Sequence, residues 1–141
     1  MLSFVTRHSS FDGEGLMTGV LWRASNLLMV ALFVLAVAVQ YNDPDPIRWM
    51  SIYGMAAVAC GLAYRDKLHW SIPAATGLVA LIWAATIAPR VLGKASIGEM
   101  FQSWEMHSAL IEEEREMCGL LIVVFWMAVL LVVTSVRSRK S

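Results

Sequence analysis

Four long apolar segments alternate with short polar ones along the chain of 141 residues. The apolar segments cover residues 20–40, 46–64, 70–88 and 117–136, and each approaches the roughly 20 residues with which a helix crosses about 30 Å of hydrocarbon. Apolar residues follow one another without alternation, and lipid offers no partner to a free backbone N–H or C=O group, so helices are favoured over barrel strands. The pattern predicts an all-α membrane protein with four transmembrane helices.

The composition agrees with a membrane location. Apolar residues make up 58% of the chain and charged residues 16%, which is more apolar and less charged than an average soluble domain. Eleven basic and eleven acidic residues give a formal net charge of zero, so no overall field attracts nucleic acid. We therefore expect the partners to be the lipid bilayer and other integral membrane subunits, and no nucleic acid.

Three parts are predicted along the chain: a polar N-terminal tail (residues 1–19), a four-helix transmembrane bundle (20–136) and a basic C-terminal tail (137–141). The N-terminal tail is polar and carries several glycines, so we expect it to lack fixed structure. The first apolar segment ends in a small-residue pattern like that of a signal-peptide cleavage site. Because the polar leader before it is long and partly acidic, we expect this segment to be retained.

Orientation is predicted from the basic residues beside the spans, because the side richer in Lys and Arg usually stays cytoplasmic. One side carries Arg7, Arg23, Arg65, Lys67, Arg137, Arg139 and Lys140. The other side carries Arg48, Arg90, Lys94 and Arg115. This imbalance predicts that both termini are cytoplasmic and that the connections after the first and third segments face outward.

The connection between the first two segments, the elbow (residues 40–46), reads QYNDPDP. Proline suits the first position of a helix, and an aspartate before it can accept hydrogen bonds from unpaired backbone N–H groups. Asp45 and Pro46 fit this arrangement, and Asp43 with Pro44 repeats it two residues earlier. Since residues before proline avoid the helical region, the elbow is predicted to be a short, stiff turn. Tyr41 and the nearby Trp49 are expected to lie at the depth of the membrane interface.

The second outward connection, residues 89–116, is predicted to contain a helix of its own. Ser96 and Glu99 form a capping box, and apolar residues follow at helical spacing. Such a helix is typical of a segment that lies along the headgroups or packs over a bundle. The fold prediction therefore includes an outer interfacial helix between helices three and four.

Acidic residues are concentrated directly before the fourth segment, in the run EEERE at residues 112–116. Acid is favoured at a helix N-terminus, but this run exceeds what capping needs, so we expect the charges to be paired. Arg48 and Arg115 would tie the run to the elbow in an outer structural cap. The predicted salt-bridge network comprises Asn42, Asp43, Asp45, Arg48, Glu112, Glu113, Arg115 and Glu116.

A divalent metal at the outer face is the alternative to that network. Its ligands would be the carboxylates of the two acidic elements together with one histidine: Asp43, Asp45, His107, Glu112, Glu113 and Glu116. No His-x-x-His, Glu-x-x-His or paired-cysteine motif with metal-ligand spacing occurs in the sequence. The sequence leaves both arrangements open, with no cofactor expected under the first.

Small residues form a stripe on each of the two middle helices. Gly54, Ala57 and Gly61 share one face of helix two, and Gly77, Ala80 and Ala84 share one face of helix three. Small residues allow helix backbones to approach closely in lipid. Because a short loop joins these helices, we expect the two stripes to meet as antiparallel neighbours.

The elbow with the following Trp49 and Tyr53, and the EEERE run with Gly119 and Leu120 after it, resemble the transmembrane protein 220 family of bacteria and animals. The resemblance covers most of residues 20–136. It implies that these two motifs are hallmarks of the family, and it implies no activity, cofactor or catalytic residue. We expect an integral membrane location, in a bacterial cytoplasmic membrane.

The middle third of each predicted span lacks Asp, Glu, Lys and His. Charge at that depth is the usual sign of an ion path, a proton relay or a haem ligand, so transport and redox chemistry lose support. We expect a non-catalytic accessory or assembly subunit of a larger membrane complex, which acts by helix packing and an outer acidic cap. The alternative is an outward-facing metal or cation site that serves metal handling or an enzyme.

Overall fold

The computed structural model is built from α-helices. It describes the backbone of residues 5–93 and 104–140, and the side chains of residues 15–92 and 112–140. In chain order these are α1 (Val5–Val39), a 3-10 turn (Gln40–Asn42), α2 (Pro46–Tyr64), α3 (Ser71–Gly93) and α4 (Trp104–Lys140). The all-α prediction is confirmed.

Three of the described helices are long and apolar enough to cross a membrane. The candidate spans are Gly15–Asn42, Ser71–Leu92 and Glu112–Ser138, with 28, 22 and 27 residues. The second predicted span is absent from these three and coincides with α2, whose 19 residues begin and end where the sequence predicted. Polar residues such as Arg48 and Ser51 make α2 less apolar, so composition and length alone support three spans rather than four.

α1 is longer than the first apolar segment. It begins at Val5, so the expectation that the first nineteen residues lack regular structure is wrong from that residue onward. An isolated polar peptide of this length forms little helix, because the first turn is costly to nucleate. Here the apolar segment supplies the nucleus, and each residue added at its N-terminal end gains a backbone hydrogen bond.

The second outward connection is shorter than predicted because helices extend into it from both sides. α3 continues through Pro89 to Gly93, and residues 104–116 belong to the same helix as the fourth apolar segment. Proline removes one backbone donor and its ring crowds the carbonyl four residues earlier, but the residues after Pro89 keep their own N–H donors and the helix continues. The capping box at Ser96 and Glu99 lies outside the described residues.

The first of two compact units, Met1–Leu68, is an antiparallel pair of α1 and α2. Phe33 stacks on Tyr53 at a ring-centroid distance of 6.4 Å, and Tyr53 on Trp49 at 6.0 Å. Nearer the other end of the pair, Arg23 Nη2 lies 3.1 Å from Asp66 Oδ2. The interior of this unit is lined by Phe33, Trp49, Ile52, Tyr53, Ala56, Ala59, Cys60 and Ala63, and also holds the buried Asn26.

The end of α2 is closed by backbone hydrogen bonds. Lys67 N–H donates to the Leu62 carbonyl (2.9 Å) and Asp66 N–H to the Ala63 carbonyl (3.1 Å), which is the bonding pattern of a Schellman motif. Asp66 occupies the left-handed position with φ of 55°, where glycine is the usual residue. An aspartate at this position also carries a carboxylate, which pairs with Arg23.

The second unit, His69–Ser141, is a pair of α3 and α4 in which small residues face large ones. A Cβ atom added to Gly77 would lie 3.1 Å from the Met127 Cβ. Arg90, thirteen residues further along α3, approaches Glu113, fourteen residues back along α4, so the helices are antiparallel. This register places Ala84 level with Leu120, and both are buried. Close packing of this kind is how helices associate in lipid.

We expect Gly77→Ala to destabilise the α3–α4 unit by about 1–3 kcal/mol, because the Met127 Cβ is fixed to the backbone and must move to admit the methyl group. Gly61→Ala is the matched control, since a Cβ there meets nothing within 4 Å. It should be neutral or stabilising by up to about 1 kcal/mol. Thermal unfolding of the purified protein in detergent measures both, and equal effects would contradict the close contact.

Candidate functional site at the elbow and the acidic end of α4

The predicted outer cap consists of two acidic elements that belong to different units. The elbow joins α1 to α2 in the first unit, and the run Glu112 to Glu116 lies on α4 in the second unit.

Asp43 shapes the elbow. Its backbone N–H donates to the Gln40 carbonyl at 3.1 Å, which closes the 3-10 turn that ends α1. Its Oδ1 accepts a hydrogen bond from the Asp45 N–H, also at 3.1 Å. This bond from an aspartate to the backbone two residues later is an Asx turn. Asp43 therefore ends one helix and directs the chain into the next.

Asp45 occupies the N-cap position of α2 and Pro46 the first helical position, as the sequence predicted. The predicted hydrogen bond from the helix N-terminus to the Asp45 carboxylate is absent from the described part of the chain. Instead, Asp45 Oδ2 lies 3.7 Å from Arg48 Nη1. Asp45 has φ of −120° and ψ of 57°, outside the β region usual for a capping residue.

Arg48 thus pairs inside its own element, one helical turn from Asp45. Both side chains are largely exposed, so solvent screening leaves this pair worth little. Asn42 is exposed at the end of the 3-10 turn. The stabilising part of the elbow is the hydrogen-bonded Asp43 rather than the Asp45–Arg48 ion pair.

The aromatic residues beside the elbow have different environments. Tyr41 is 79% exposed, as expected for a ring at the membrane interface. Trp49 is only 3% exposed and stacks on Tyr53 between the helices, while its depth at the membrane interface stays a prediction. The position of Trp49 on α2, one turn after Pro46, turns its side chain toward α1.

The acidic run on α4 presents its carboxylates on different sides of the helix. Glu112, Glu114 and Arg115 are exposed, whereas Glu113 and Glu116 are partly buried. Glu113 Oε1 lies 4.0 Å from Arg90 Nη1 at the end of α3, and the Glu113 side chain is 22% exposed. The Glu113 carboxylate is thus paired with the Arg90 guanidinium of the neighbouring helix α3.

Arg90 was missed as a site residue by the sequence analysis. Its place in the sequence could have indicated the contact. Arg90 and Glu113 flank the connection between two antiparallel helices, and such helices bring the residues on either side of their connection together. Within the second unit, Arg90 is the cation that pairs with the acidic run, as was predicted for Arg48 and Arg115. The network between the two acidic elements stays a prediction, since they belong to different units. The metal alternative also stays a prediction, and the side chain of its ligand His107 lies outside those described.

The two small-residue stripes differ in their surroundings. Gly77, Ala80 and Ala84 lie on the face of α3 that packs against α4. Gly54, Ala57 and Gly61 are partly exposed, and a Cβ at either glycine meets nothing within 4 Å. The predicted contact between the two stripes stays a prediction.

Long apolar helices with exposed apolar faces define an α-helical integral membrane protein. A family model described as "Transmembrane family 220, helix" matches residues 32–132, and the chain belongs to this family. "Transmembrane protein 220" of Xenopus laevis is 37% identical over 114 residues, which cover 76% of this chain and 56% of the relative. The chain thus spans a little over half the length of that relative. No solved structure matches the chain.

We expect Asp43→Ala to destabilise the α1–α2 unit by about 0.5–1.5 kcal/mol, because it removes the acceptor of the Asp45 N–H. Asp43→Asn keeps an acceptor oxygen and should retain most of the stability. Asp45→Ala, the matched control, should change stability by less than about 0.5 kcal/mol, since its ion pair is exposed. Denaturant or thermal unfolding in detergent checks this order, and a larger loss at Asp45 than at Asp43 would contradict it.

Proposed function

We propose that this protein is a four-span membrane subunit that acts by contact, as an accessory or assembly subunit of a larger integral membrane complex. The observation that supports this proposal is where the polar groups lie in the described part of the chain. The Asp45–Arg48, Arg23–Asp66 and Arg90–Glu113 pairs each include a residue near a helix end. The buried side chains between are apolar apart from Asn26 and Thr76. Polar chemistry thus fixes helix ends, and apolar packing fills the interior.

Four spans are supported by the dimensions of the first unit. The Arg23–Asp66 pair places the end of α2 level with residue 23 of α1. From residue 23 to the elbow, α1 rises by about 26 Å at 1.5 Å per residue, close to the thickness of the hydrocarbon. If α1 crosses the membrane, α2 crosses back beside it despite its lower apolar content.

The orientation in this proposal has both termini in the cytoplasm and the elbow outside, from the excess of basic residues near the Arg23–Asp66 end and the C-terminus. In this proposal the start of α4 serves as the predicted outer interfacial helix. The similar transmembrane protein 220 of Xenopus laevis is an animal protein, so the proposal specifies an integral membrane location and no longer a bacterial one.

The partner-facing surface in this proposal is the outer face of α4. Ile122, Phe125 and Val132 are exposed apolar residues on this helix, on the side away from Leu120, Val123 and Met127. Exposed apolar side chains in a membrane contact lipid or another helix. A subunit that acts by contact requires at least one such face to be covered in the complex.

The four-span arrangement predicts that Tyr41→Cys and Lys67→Cys lie on opposite sides of the membrane. Both residues are exposed, and Cys60→Ala with Cys118→Ala supplies the background. In sealed cells a membrane-impermeant maleimide should label Tyr41→Cys at once, and Lys67→Cys only after permeabilisation. Labelling of both from the same side would show that α2 does not cross.

Extraction of the tagged protein from its own membranes in mild detergent, with native gel separation and mass spectrometry, tests the complex. We expect a stoichiometric membrane partner with the wild type and its loss with Val132→Trp, because an added indole separates packed helices. Leu28→Trp is the matched control on α1, at a similarly exposed apolar position. Migration of the wild type alone would overturn the subunit proposal.

The metal alternative gives a different result in the same preparation. A divalent ion held by the outer acids would co-purify with the protein in stoichiometric amount and disappear in Asp43→Asn combined with Glu116→Gln. Partner binding would then survive that double substitution. The carboxylates of Glu112 and Glu116, one turn apart on α4, are the feature that keeps this alternative in the proposal.

A further inference from the structure

The charges of the second unit are separated between its two ends. All acidic residues between His69 and Ser141 lie from Glu99 to Glu116, whereas Arg137, Arg139 and Lys140 form a basic group at the end of α4 without an acid in the preceding twenty residues. The three basic side chains are exposed. An exposed group of this sign attracts anions, and salt screens the attraction over about 10 Å.

Helical structure fixes the depth of this basic group. α4 continues to Lys140, beyond Val136, its last apolar residue. The three cations fall within about 4.5 Å along the helix axis and point in different directions around it, since successive residues are 100° apart. They therefore form a ring just outside the apolar segment, at the level where long basic side chains reach lipid headgroups.

A tryptophan just before the neighbouring helix α3 lies near the same end of the apolar segment. Trp70 precedes α3 and is 53% exposed, with its ring centroid 5.7 Å from that of His69. The register set by Gly77 and Met127 places Trp70 level with residue 134, about one turn inside Arg137. Indole rings prefer the interface just below the phosphates, so this position puts the basic ring at the phosphates.

We propose that the basic ring Arg137, Arg139 and Lys140 binds the headgroups of anionic phospholipids. Two simpler roles explain basic residues at this position, favourable interaction with the negative end of the α4 dipole and orientation of the chain during insertion. Neither role requires a preference among lipids. The purified protein has already completed insertion. A lipid preference that it shows is therefore specific to headgroup binding.

The test is native mass spectrometry of the full-length protein in detergent with equal amounts of phosphatidylglycerol and phosphatidylcholine. We expect the wild type to retain phosphatidylglycerol preferentially. A basic residue near the surface contributes about 1 kcal/mol toward anionic lipid, so Arg139→Gln should lower the preference about fivefold. Arg139→Lys should keep it, and the combination Arg137→Gln, Arg139→Gln and Lys140→Gln should abolish it.

Arg115→Gln is the matched control, because Arg115 is also an exposed arginine on α4 but lies among the acids. It should leave the preference nearly unchanged. Inorganic phosphate at matched ionic strength should not displace the lipid, which distinguishes a headgroup from a free phosphate. No preference in the wild type, preference retained in the triple variant, or equal loss with Arg115→Gln would each overturn the proposal.

Discussion

A peptide group inside a membrane must find its hydrogen-bond partner within the protein, and the rest of this structure depends on that constraint. It makes each apolar segment a helix and leaves the helix ends as the places where polar groups are still unpaired. At three of the described ends the partners are local. Gln40 and Asp43 close α1, the carbonyls of Leu62 and Ala63 are bonded after α2, and the Ser71 N–H at the start of α3 donates to His69 Nδ1 at 3.4 Å.

Charged side chains then act on ends that the backbone has already closed. Asp66 is an example. Its left-handed backbone destabilises the fold by about 1 kcal/mol relative to glycine, and its exposed ion pair with Arg23 stabilises the fold by at most about the same amount. Stability alone therefore does not favour aspartate over glycine at this position. What the pair adds is a fixed alignment of α1 with α2, which glycine cannot supply.

The sequence predicted the bounds of α2 well because Pro46 marks its start and a charged loop follows its last apolar residue. Prediction was wrong where local geometry decided the outcome. Polar residues at the start of α1 joined a helix already nucleated, and α3 continued through Pro89. At the elbow, spacing alone did not distinguish the hydrogen-bonding role of Asp43 from that of Asp45, because side-chain direction depends on backbone angles. Arg90 was missed because its partner Glu113 is distant in sequence.

Each compact unit is made of helices that are consecutive in the chain, and this has a consequence for biogenesis. Contacts between neighbouring segments close small loops, which is fast and requires little loss of chain entropy. The α1–α2 hairpin contains all the residues of its own interior, including the Phe33–Tyr53–Trp49 stack, within the first half of the chain. It can therefore assemble while the ribosome is still synthesising α3 and α4, so the earliest intermediate has few unpaired helix faces.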